Sequence, residues 1–241
     1  MSKTESQKPD SSIQDFEPTP VMRKEGSVEL EDNRPSKSAL LCIDLQYLGA
    51  KEGYGIFEEH ADSGVSEQAI EYYLDRVWHE VVPNVAKLQK RFREQELEVI
   101  HARIQSLTAD GRDRSAEHKR LGLHAAPGSK LAEFLPDVAP EDNEIVFNKT
   151  ASGLFASTNI HYVLGNLGVT DLYIVGVYTN ECVSSAVRSA ADLGYRVTLI
   201  SDGTAAITPS LQKSTILTVK ERYAKVRQTQ EVLEALDNLD S

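Results

Sequence analysis

The chain has 241 residues, 40% of them hydrophobic and 26% charged, with a formal net charge of -11. That balance belongs to an ordinary globular protein with enough length for one large core or two small ones. The acidity argues against nucleic acid as a partner, because phosphate binding needs a basic face, and no apolar run approaches the roughly 20 residues of a membrane helix, so no membrane partner is expected either.

Residues 1–37 are rich in Ser, Pro, Glu and Lys and read as a flexible N-terminal tail. They lack the apolar core of a secretion signal, and two cysteines in the whole chain make no disulfide framework. Both features fit a reducing, cytoplasmic setting. Residues 38–241 read as one domain. "SALLCIDL" is a near-continuous apolar run, as expected of a strand covered on both faces, with Cys42 as a small buried hydrophobe. In "AIEYYLDRVWHEVVPNVAKLQKRFREQ" Leu74, Val77, Val81, Val85, Leu88 and Phe92 recur at helical spacing, and Pro83 predicts a kink or a break.

"LEVIHARI" is the next strand and "EIVFNK" a short third one. "TNIHYVLGNLG" predicts a helix capped by Ser157 or Thr158 and stopped by glycine. Strand "DLYIVGV", helix "ECVSSAVRSAADLG" and strand "YRVTLIS" follow. "SLQKSTILTVKERYA" predicts a helix after Pro209, and a short strand at Lys225 to Arg227 and a helix from about Gln230 close the chain. Alternating strands and helices predict an α/β fold of three layers: a mostly parallel six-stranded sheet with helices on both faces.

In such sheets ligands bind beyond the carboxyl ends of the strands. Asp44 follows the first strand, where a carboxylate needs a partner or serves as a turn cap. His101 and Arg103 close the second strand, as packing groups or as site residues. Lys149 ends the third, as a solvated charge or as a site cation. Cys182 follows the fourth at the first turn of a helix. A helix N-terminus and a nearby ammonium both favour a thiolate, so a lowered thiol pKa is expected. An acid/base, a cation and a nucleophile thus arrive at one end of the sheet.

Three blocks, "LLCIDLQ", "EIVFNKTASGLFAST" and "IVGVYTNECVSSAVRSAADLGYRVTLISDGTAA", resemble the isochorismatase-like cysteine hydrolases, over about residues 38–236. The resemblance implies a Rossmann-like isochorismatase fold and a catalytic triad of Asp44, Lys149 and Cys182. It also implies a cis peptide between Val177 and Tyr178, with an oxyanion hole formed by the Tyr178 and Cys182 amides. No cofactor is implied. A homo-oligomer, dimer or tetramer, is.

Nicotinamidases of this family carry an Asp-x-His metal block after the second strand. Here the chain reads "HARIQSLTADGRDRS", and His118 and His124 lie farther along, so no metal is expected and nicotinamide is disfavoured as substrate. "LTADGRDRS" resembles the ureidoacrylate and biuret hydrolases, which implies a small amide or ureide substrate cleaved through a thioester. Arg103, or the loop of Arg112, Asp113 and Arg114, would then read its polar end, the alternative being local ion pairs. Gln46, Tyr47, Tyr54, Phe155 and Tyr178 are further candidates for contact with substrate, although solvation or loop packing would also account for Gln46 and the tyrosines near residue 50. The alternatives to an amidohydrolase are a vinyl ether hydrolase of the isochorismatase type, a nicotinamidase, and a catalytically silent binding homologue.

Overall fold

The computed structural model describes residues 37–58 and 64–238. The expected tail therefore lies outside the described residues except for Lys37, whose carbonyl accepts the Thr170 and Asp171 N–H groups at 2.9 and 3.2 Å.

Six strands form one sheet: β1 (Ser38–Ile43), β2 (Glu98–Ile104), β3 (Ile145–Lys149), β4 (Asp171–Val177), β5 (Arg196–Ala205) and β6 (Lys225–Arg227). The order is β3-β2-β1-β4-β5-β6, and every pairing is parallel. The winding reverses between β1 and β4, so a crevice opens at the carboxyl ends of these two central strands. Period-two alternation sends β1 side chains to both faces. Leu40 and Cys42 join a core with α1 (Glu67–Arg76), α2 (Val82–Glu94) and α6 (Thr229–Asp237). Ala39, Leu41 and Ile43 join the opposite core, with α3 (Ile160–Leu167), α4 (Ser184–Asp192) and Val219 at the end of α5 (Pro209–Val219). The three layers expected from the sequence are present.

Local chemistry sets the helix ends. Ser66 accepts the Ala69 N–H at 3.3 Å to start α1, and Thr208 accepts the Leu211 N–H at 3.2 Å to start α5. Gly168, at φ 71°, stops α3 as expected.

Several boundaries differ from the sequence reading. The disturbance expected at Pro83 takes the form of a π-helical turn between α1 and α2. The five residues Val77–Val81 widen into a π-helical turn, with the Val82 N–H bonded to the Val77 carbonyl, five residues back. A proline clashes with the carbonyl four residues before it, and a wider turn relieves that clash. The N-cap of α3 is Asn159 rather than Ser157 or Thr158; the Thr158 hydroxyl instead accepts the Ile160 N–H at 3.3 Å. Helix α5 ends at Val219, not at Ala224, because Glu221 takes φ 61° and Ala224 turns inward to lead into β6.

Candidate active site

The carboxyl ends of four strands converge on one point. Asp44 leaves β1 at φ 54° while its N–H still pairs with the Ala102 carbonyl at 2.9 Å. Lys149 is the last residue of β3, in register with Ile104 of β2. Beyond β4 the Val177–Tyr178 peptide is cis, and a π-helical turn, Thr179–Val183, carries Cys182 directly into α4. Gly176 makes this approach possible. Its φ is 118°, and a Cβ there would sit 2.0 Å from the Ile43 carbonyl oxygen on the neighbouring strand. No L side chain fits that position.

Lys149 is fully buried, and its three ammonium donors have three acceptors. Nζ lies 2.9 Å from Asp44 Oδ2, 3.2 Å from Cys182 Sγ and 3.2 Å from the Ala151 carbonyl. Asp44 and Cys182 are each 5% exposed. Burial raises the Asp44 carboxyl above its ordinary range, with Lys149 opposing, so this carboxylate is a better base than one in water. Burial also works against the Lys149 ammonium, but attraction to Asp44 and Cys182 outweighs it and the group stays charged.

The thiol corrects the expectation of a lowered pKa. Burial pushes Cys182 up to about 12, with Lys149 pulling down and Asp44 pushing further up. Loss of solvation outweighs both the nearby ammonium and the helix end, so the resting sulfur keeps its proton, with the Asp44 carboxylate in the same buried cluster.

Asp44 and Cys182 line a cavity of about 40 Å³. Its walls are mainly apolar: Leu48, Ile56, Ile104, Leu123 and Val177, with the Tyr178 ring beside them. Tyr178 packs edge-on against Tyr73 with ring centres 4.8 Å apart, and both hydroxyls donate to the Gly49 carbonyl, at 3.3 and 2.6 Å. Ser152 and Glu181 add polar groups to the lining.

The other sequence candidates go elsewhere. Gln46 borders the cavity, but its amide is spent on backbone: Nε2 donates to Ile104 O and Leu131 O at 3.0 and 2.8 Å, and Oε1 accepts the Ile104 N–H at 2.6 Å. It braces the loop after β1 instead of reading substrate. Arg103 is also taken. It donates to Asn148 Oδ1 at 2.8 Å and to the Ala132 carbonyl at 2.9 Å, and lies over the Phe134 ring. It sits one residue before Ile104, and strand alternation turns it from the face that Ile104 offers the cavity. Tyr47 and Tyr54 pack edge-on against each other, and Phe155 packs beside Tyr195; none of the three lines the cavity.

In the Arg112–Arg114 loop Arg112 pairs with Asp110, Asp113 caps the Leu107 and Thr108 N–H groups, and Arg114 donates to the Gly111 and Leu123 carbonyls. The loop holds its own shape and delivers Leu123 to the cavity wall. Leu123, Ile104, Ser152 and Glu181 were missed by sequence reading; adjacency to Cys182 was the one available signal, and it pointed to Glu181 alone. His118 is fully buried behind this wall, with Nε2 3.4 Å from Ser152 Oγ. Among the described residues no group of three or more His, Cys, Asp or Glu side chains is placed to hold a metal ion.

A family model described as an isochorismatase domain matches residues 38–231. An Arabidopsis thaliana protein named "Probable inactive nicotinamidase" is 34% identical over 149 residues, covering 58% of this chain and 74% of its own. A ureidoacrylate amidohydrolase from Agrobacterium fabrum is 32% identical over 106 residues, 44% of this chain and 46% of its own. The crystal structure of an isochorismatase family protein from Desulfovibrio vulgaris superimposes with a TM-score of 0.69 at 23% identity, covering 84% of this chain and 100% of the other, a likeness of fold.

Proposed function

The chain belongs to the isochorismatase domain family of hydrolases, and on that footing we propose that it is a cysteine amidohydrolase that cleaves a C–N bond of a small amide or ureide. One observation carries the reading: a buried cysteine in the lining of a cavity, held against a buried lysine that is itself ion-paired with a buried aspartate.

Asp44 takes the thiol proton as Sγ attacks the substrate carbonyl, so the charged sulfur never has to persist unreacted in a dry site. The carbonyl oxygen gains the negative charge and is received by the Tyr178 and Cys182 N–H groups; losing one such donor typically costs about 3 kcal/mol of barrier. The intermediate collapses, the C–N bond breaks, and Asp44 returns the proton to the leaving nitrogen. Water then gives a proton to Asp44 and attacks the thioester, releasing the acid and restoring the thiol. Lys149 keeps Asp44 ionised and supports negative charge on sulfur. Hydrolysis of a vinyl ether needs no sulfur nucleophile, so the buried and oriented thiol favours acyl chemistry.

A cavity of about 40 Å³ has room for only a few waters, each needing roughly 10–15 Å³ by this measure. It therefore favours a reacting group of few atoms. Ammonia release from a panel of ureides, carbamoyl amino acids and simple amides tests the reading. Turnover that is lost in Cys182→Ala and Cys182→Ser supports it, as does a substrate-sized mass added to Cys182. Full turnover in either variant overturns the covalent route.

A further inference from the structure

The cavity carries an unbalanced charge. Asp44 is matched by Lys149 at 2.9 Å. Glu181, one residue before the nucleophile, also lines the cavity and stands exposed at its mouth. No arginine, lysine or histidine is among the described residues that line it. The cations around it stand outside the lining: Lys149, whose attraction reaches Glu181, is held by Asp44, Cys182 and the Ala151 carbonyl, and Arg103, Arg114 and Lys119 are held by carbonyl or amide oxygens. Glu117, on the turn beside this wall, is near enough to add to the negative field at Glu181 and is itself paired with Arg120. Much of the remaining lining is apolar, with Leu48, Ile56, Ile104, Leu123 and Val177, which weakens the screening of a charge inside the cavity.

We infer that Glu181 selects substrates by charge: the pocket takes amides whose far end is an ammonium or a neutral donor and rejects those ending in a carboxylate. An anionic end would enter against Glu181 with no cation among the described lining residues to receive it, whereas an ammonium would meet a carboxylate. This replaces the expectation of an arginine reading the polar end of the substrate. That the substrate is an amide rests on the function proposed above; the charge selection is measurable on the thiol without any turnover.

Iodoacetamide and iodoacetate differ little in size and differ in charge. Their rates of alkylation of Cys182 are compared in the wild type, Glu181→Gln and Glu181→Lys at about pH 8, set well above the ordinary carboxylate range because burial raises the Glu181 carboxyl, with Cys182→Ala correcting for Cys42. The ratio of the iodoacetamide rate to the iodoacetate rate should fall about tenfold in Glu181→Gln and further in Glu181→Lys, the scale of removing or reversing one unit charge in a cavity lining. A ratio that stays within about twofold across the three proteins overturns the inference. The same proteins are then assayed on a linear amide ending in an ammonium and on its carboxylate counterpart. Charge-ordered alkylation without turnover of either amide overturns the amidohydrolase reading and leaves the selection standing. Turnover that ignores end charge, with unordered alkylation, does the opposite.

Discussion

Lys149 Nζ stands 3.2 Å from Cys182 Sγ, yet the thiol holds its proton more tightly than a cysteine in water does. Burial away from water outweighs the pull of the ammonium, and the Asp44 carboxylate beside the sulfur opposes a second negative charge. Alkylation of Cys182 by iodoacetamide should therefore keep rising with pH through the alkaline range, in line with a pKa of about 12. A rate that levels off between about pH 6 and 8, as for activated thiols, would show a thiolate at rest and remove Asp44 from the first proton transfer.

Breaking the buried pair should cost more than removing it. Lys149→Met leaves Asp44 buried without its counter-charge, and Asp44→Asn does the same to Lys149. Each single change should destabilise the fold by about 3–5 kcal/mol. The double variant should recover much of that loss, since neither charge is left alone. Denaturant midpoints of the four proteins give the coupling; additive losses would mean that the two groups are solvated independently. All three variants should lack activity.

Arg103→Ala and Gln46→Ala separate support from recognition. Both side chains bind backbone or a neighbouring amide. Gln46→Ala should lower stability by about 2–3 kcal/mol, since it orphans the Ile104 N–H at a buried position, and Arg103→Ala by about 1–2 kcal/mol. Substrate ranking should be unchanged in Arg103→Ala. A KM that rises for one substrate class alone, at unchanged stability, would return Arg103 to the binding site.

His118 gives the fold an acid limit. Burial, helped by Lys149 and Arg114, holds the folded imidazole at about 4 against an ordinary value of 6.5. Between these values the unfolded chain binds the proton more readily, so stability falls as pH drops from about 6.5 to about 4 and is complete above that window. His118→Gln, which cannot take the proton, should flatten this part of the stability curve. An unchanged slope would assign acid sensitivity to other groups.

The strands that carry the site were legible because buried parallel strands are written as apolar runs, and each ended where a polar residue stood: Asp44, Lys149, and the corner before Cys182. Helix ends were less legible. Pro83 announces a disturbance, but whether it becomes a kink or a π turn depends on packing over Val77 and Val81, both fully buried. Of the walls of the cavity only Tyr178 and Gln46 were legible. Leu123 arrives from a loop without periodicity, shaped by contacts of Asp113 and Arg114 that span several residues. The protonated thiol was missed for a related reason. A helix end and a lysine are visible in the sequence, while the loss of water that outweighs them is a property of the assembled site.

The ion pair between Asp44 and Lys149 also has a consequence for descent. Two residues 105 positions apart in the sequence, each tolerable only in the presence of the other, form a valley between two stable alternatives. A lineage released from the need for turnover would meet a barrier at the first replacement and be drawn quickly to the second. Silent descendants of this chain should therefore lose both charges together, often to an amide and an apolar residue. Cys182, whose removal leaves no charge stranded, should drift early and alone. The order in which these three positions decay would record whether stability or chemistry was holding each of them.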